Sequence, residues 1–81
     1  MSERIINKNF ALSADFNSYI VENPEITSSL PKNACVIFET ESDNDLNKEN
    51  RKLARELTRT GEKCFKAIKE GKKWRLEKTF N

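Results

Sequence analysis

Between Pro31-Lys32-Asn33 and Glu41-Ser42-Asp43, the segment Ala34 to Thr40 is short, rich in β-branched and aromatic residues, and bounded by turn chemistry on both sides. Side chains alternate along a strand, so Ala34, Val36 and Phe38 point one way while Cys35 and Ile37 point the other. Both faces are therefore apolar, which predicts a central strand covered on both sides and not an exposed edge. In a chain of 81 residues the cover must come from the immediate flanks. One sheet with one or two helices is about the limit of such a length, and a single domain over residues 1–81 is expected.

The flanks supply helices. From Asn9 to Glu22, apolar Leu12, Phe16, Tyr19 and Ile20 follow the one-face spacing of an amphipathic helix, which should stop at Asn23-Pro24. Pro24 to Leu30 reads as a short helical turn with Asn23 as its cap and with Ile26 and Leu30 facing the core. After the strand, Ser42 or Asp43 can cap a second helix whose buried stripe is Leu46, Asn50, Leu53, Ala54 and Leu57. Arg51, Lys52, Arg55 and Arg59 fall in its later turns, where cations suit the helix dipole, and Gly61 is the expected left-handed residue past its end.

Lys63 to Lys69 reads as a second strand. Trp74, Leu76 and Phe80 alternate with Arg75, Glu77 and Thr79 as a half-buried third, joined through a Glu70-Gly71 hairpin turn. The expected fold is thus α/β (α+β), in the order α-β-α-β-β, with a three-stranded mixed sheet packed by two helices. Helices on one face would leave the Cys35 and Ile37 side bare and favour a dimer; helices on opposite faces would suffice for a monomer. The sequence does not choose between them.

Leu12-Ser13, Phe16, Tyr19, Asn23-Pro24-Glu25, Leu30-Pro31, the strand positions Ala34, Val36 and Phe38, the acidic turn Asp43-x-Asp45, and Asn50, Leu53 and Ala54 form one pattern. It resembles a small uncharacterised family of short bacterial and archaeal α/β domains of unknown function, over roughly residues 10–57. These are mostly core and turn positions, so the resemblance implies a prokaryotic chain and a shared fold, and it carries over no active site. The lysine-rich hairpin lies outside it.

Charge is divided along the chain: residues 1–50 carry 4 basic and 9 acidic side chains, and residues 51–81 carry 11 and 4. Lys63, Lys66, Lys69, Lys72, Lys73, Arg75 and Lys78 surround Trp74 and Phe65. Cations neutralise phosphates and aromatic faces stack bases, which makes this hairpin a candidate surface for RNA or single-stranded DNA. Lys63-Cys64-Phe65-Lys66-Ala67 is faintly similar to the aromatic strand of the RNA recognition motif, without its glycine or second ring. The plainer reading is that lysines guard an exposed strand edge while Trp74, Leu76 and Phe80 form the inner face.

Glu39, Glu41, Asp43, Asp45 and Glu49 gather where the first strand meets the second helix, the end at which open α/β sheets bind ligands. A calcium loop is excluded because Lys48 and Ala54 stand where glycine and glutamate are required. Magnesium would need fewer carboxylates, but helix capping explains the cluster more simply. Two cysteines, Cys35 and Cys64, are too few for a disulfide scaffold and have no histidine to complete a zinc site. They read as small apolar strand residues ahead of a redox pair.

The chain has no histidine, no nucleophile elbow and no cofactor signature, so enzymatic chemistry has little to stand on. No apolar run approaches bilayer length and Met1-Ser2-Glu3-Arg4 does not open a secretory signal, so a cytoplasmic location is expected. The function expected first is a non-enzymatic protein-interaction or oligomerisation module, with a protein partner or a second copy. Nucleic-acid binding through residues 63–78 stands second.

Overall fold

The computed structural model describes residues 1–78. Helix α1 (Glu3–Glu22) is followed by a 3-10 turn (Pro24–Thr27), strand β1 (Cys35–Thr40), helix α2 (Asn44–Arg59), and strands β2 (Cys64–Glu70) and β3 (Lys73–Lys78). The third-strand positions Thr79 and Phe80 lie outside the described residues.

Helix α1 begins earlier than the Leu12 to Ile20 stripe indicates. The Oγ of Ser2 accepts from the Ile5 backbone N–H at 3.3 Å, and Ile5 extends the buried stripe toward the N-terminus. At the other end, Asn23 closes α1, its backbone N–H and its Nδ2 both donating to the Tyr19 carbonyl at 2.9 and 3.0 Å. It stands at the cap position of the turn that follows through its carbonyl, which accepts from the Ile26 N–H at 3.1 Å, and not through its side chain. Pro24 then takes the first helical position of the 3-10 turn, where its missing N–H costs nothing. In α2 the cap is Asp43, whose Oδ1 accepts from Leu46 N at 3.1 Å, and Gly61 leaves the helix at φ +97°.

The strands lie in the order β1-β2-β3, with β1 parallel to β2 and β2 antiparallel to β3. This corrects the expectation for the first strand: β1 is an edge, and β2 is central. The hairpin register pairs Glu70 with Lys73, so the turn residues are Gly71-Lys72 and not Glu70-Gly71. Gly71 has φ +62° in the first turn position, the placement a type II′ turn requires.

Register sorts the sheet into two faces. Val36, Phe38, Ala67, Lys69, Trp74 and Leu76 share one face, and α1 packs on it through Ile5, Leu12 and Phe16. Phe16, Phe38 and Trp74 meet edge to face, with ring centroids 5.1 to 5.8 Å apart. Such aromatic pairs contribute roughly 0.5–1.5 kcal/mol each beyond the area they bury. On the other face Cys35, Ile37 and Cys64 are covered by Ala54 and Leu57 of α2.

Helix α2 also explains how an edge strand can be apolar on both sides. The Thr40 backbone N–H donates to Asn47 Oδ1 at 3.0 Å, and the Thr40 carbonyl accepts from Asn47 Nδ2 at 2.7 Å. Asn50 Nδ2 donates to the Phe38 carbonyl at 2.8 Å. Two asparagines thus stand in for a neighbouring strand, and α2 wraps the β1 edge from the α1 face, where Leu46 is buried, to the face below Ala54. Beyond Cys64, that second face carries Lys66 and Glu70 of β2 and Lys73, Arg75 and Glu77 of β3, with Ile68 half-buried among them.

Candidate interaction surface

Helix α1 carries two apolar stripes. Ile5, Leu12 and Phe16 are buried, while Ile6 and Phe10, displaced by about one residue around the helix, are 43% and 72% exposed. Asn9 lies between them and turns inward, where its amide pairs with that of Asn50 on α2. Ile6, Asn9, Phe10 and Ser13 form one wall of a shallow depression of about 300 Å³, which Phe38 and Met1 complete. A neighbouring depression of about 310 Å³ shares Met1 and is lined by Glu49, Lys52, Leu53 and Glu56 of α2.

The two depressions, one on α1 and one on α2, have Met1 in common. Their apolar side chains are open to solvent, with Met1 54%, Ile6 43%, Phe10 72% and Leu53 42% exposed. Leu53 was expected in the buried stripe of α2; it faces outward because Ala54 and Asn50 take the positions against β1. The rim beside Leu53 carries both signs in Glu49, Lys52 and Glu56. Val21 is a further exposed apolar residue of α1, at 80%. Charged residues occupy most other exposed positions of the helices, so these exposed apolar residues are the informative exception.

The hairpin cations do not form a comparable surface. Trp74 is buried, 4% exposed, and its Nε1 donates to Asp15 Oδ2 at 3.3 Å, so its ring is unavailable for stacking on a base. Lys69 Nζ also meets Asp15 Oδ2, at 2.7 Å. Lys66 lies on the opposite face between Glu39 and Glu77, at 3.8 and 3.9 Å, and Arg75 pairs with Glu70 and Glu77 on that same face. Lys63, Lys72, Lys73 and Lys78 form no ion pair among the described residues, but they divide between the two ends of the hairpin.

The acidic cluster is also dispersed. Glu39, 6% exposed, accepts from Arg51 Nε at 2.7 Å and Arg51 Nη2 at 3.0 Å. The Arg51 guanidinium holds its carboxyl below the ordinary range and Lys66 adds to this, against the opposing effect of burial. Asp43 caps α2 and accepts from Arg4 Nη1 at 3.0 Å, which with the Leu46 N–H lowers its pKa as well. Among the described residues, no group of three or more carboxylate or thiol side chains is placed to hold a metal ion.

A mixed-charge pocket of about 320 Å³ at the C-terminal end of β1 is lined by Lys8, Thr40, Glu41, Ser42 and Lys69, with Lys69 already engaged by Asp15. Among the described residues, no helix is long and apolar enough to cross a membrane.

Sequence reasoning found the hairpin cations and missed the helical patch. The available signal was the i, i+4 spacing of Ile6 and Phe10, which a helix starting at Asn9 left out. Neither a curated protein nor a solved structure matches the chain. A family model does match, over residues 4–79, and so reaches beyond the central pattern to include the hairpin: the chain belongs to the family of unknown function DUF5647.

Proposed function

We propose that this chain is a small cytoplasmic, non-enzymatic interaction module of a prokaryotic cell, and that it works by pairing with a second copy of itself through the α1–α2 patch. The observation that carries the reading is the exposure of Met1, Ile6, Phe10 and Leu53 in two depressions that share Met1, with charges of both signs beside Leu53. A two-fold contact must be self-complementary, and a rim on which Lys52 lies beside Glu49 and Glu56 allows each copy to present cation to anion. At the C-terminal end of the β1 edge, Asn47 and Asn50 already engage the Thr40 N–H and carbonyl and the Phe38 carbonyl, which disfavours pairing there.

Sedimentation equilibrium from micromolar to millimolar concentration tests the proposal. A dimer that persists in high salt and is lost in Phe10→Glu and Leu53→Glu supports it; a monomer throughout the range overturns it. Nucleic-acid binding stands second, supported by the cations Lys63, Lys72, Lys73 and Lys78. A complex with RNA or single-stranded DNA that weakens steeply with salt would move it to first place.

A further inference from the structure

Cys35 and Cys64 are direct register partners on the parallel strands β1 and β2, so both side chains leave the same face of the sheet. They pack in one cluster with Ile37, Ala54 and Leu57. Cys35 is half-buried, whereas Cys64 is 2% exposed and its Sγ donates to the Ala54 carbonyl at 3.9 Å. Paired residues on neighbouring strands have Cα atoms about 4.8 Å apart, inside the 4.4–6.8 Å range that a disulfide spans.

We propose that Cys35 and Cys64 form a reversible dithiol–disulfide site, oxidised by thiol–disulfide exchange with a small-molecule disulfide of the glutathione type. In the first step the Cys35 thiolate displaces one glutathione thiolate and forms a mixed disulfide. The Cys64 sulfur then attacks the Cys35 sulfur and releases the second glutathione. Two electrons pass from the cysteine pair to the glutathione disulfide, and the two thiol protons leave.

The order of events follows from access. Only Cys35 is open enough for a reagent to reach, and Cys64 lies directly behind it as the resolving thiol. Burial, with the neighbouring Cys64 thiol, pushes Cys35 up to about 12, so the exchange is slow at neutral pH and accelerates as the pH rises. Parallel strands hold their Cβ atoms near the strand spacing, slightly wide of the usual disulfide value. The bond should therefore be strained and easily reduced, as regulatory disulfides are.

Full-length protein in glutathione buffers stepped from reduced to oxidised, followed by alkylation, intact mass and peptide mapping, provides the test. The expected result is a fall from two free thiols to none, a mass loss of two hydrogens, a cross-linked Cys35–Cys64 peptide and a midpoint independent of protein concentration. Cys64→Ser should accumulate one glutathione on Cys35, while Cys35→Ser should resist modification until urea unfolds it. Two free thiols in the fully oxidised buffer would overturn the proposal. So would an oxidised product that is only a mixed disulfide or a covalent dimer.

Discussion

Asn9 of α1 and Asn50 of α2 exchange two amide hydrogen bonds, at 3.0 and 2.9 Å, across 41 positions of sequence. Asn50 also donates to the Phe38 carbonyl at 2.8 Å, so one side chain, 2% exposed, joins both helices to the edge of the sheet. Replacing it with alanine leaves the Phe38 carbonyl and the Asn9 amide without this partner. A buried polar group deprived of its partner costs about 1–3 kcal/mol. Urea unfolding of Asn50→Ala should show a loss at the upper end of that range, with Asn50→Asp losing at least as much because a buried carboxylate would face a carbonyl.

The Glu39–Arg51 pair gives stability a defined pH dependence. The folded-state pKa of Glu39 is depressed, so its contribution is present above the ordinary glutamate range and is lost as the pH falls through the folded value. Asp15 and Asp43, lowered by Lys69 and Arg4, act in the same direction. Arg51→Ala should destabilise the protein by about 1 kcal/mol near neutrality, since Arg51 is half-exposed. Chemical denaturation at a series of acidic pH values should show variant and parent converging once Glu39 is protonated in both.

Trp74 tests the hairpin directly. With Phe16 and Phe38 around it and Asp15 on its Nε1, its emission should be that of a buried indole and should not change when RNA or single-stranded DNA is added at low salt. Trp74→Ala should cost about 3–5 kcal/mol, the usual loss for a large aromatic removed from a core, measured as a drop in the denaturation midpoint.

Phe10 and Leu53 should behave in the opposite way. Both are exposed, so Phe10→Glu or Leu53→Glu should alter monomer stability by no more than about 0.5 kcal/mol while abolishing self-association. Thermal melts at low protein concentration, read beside sedimentation data, separate the two effects.

A substantial part of the fold is legible in local chemistry. Leu12, Phe16 and Tyr19 announce α1, Asp43 and Gly61 bracket α2, and the glycine of the hairpin lies in the turn with its place shifted by one residue. These succeed because helix caps, positive φ and side-chain periodicity act within a few residues. The exposed apolar residues of the helices were legible only in part: Ile6 and Phe10 show helical spacing, but Leu53 and Ala54 are adjacent apolar residues and only the position of β1 decides which of them is buried.

The clearest division lies at β1. Its sequence by itself determined that the strand is covered on both faces, because alternation leaves apolar groups on each side. Only the tertiary structure decided what covers it: α1 above, α2 below, and Asn47 and Asn50 along the outer edge that a central strand would not have had. Burial is a demand that local sequence states, but a backbone hydrogen bond is satisfied equally by a strand or by a side-chain amide. Which of the two supplies it depends on where a distant helix packs.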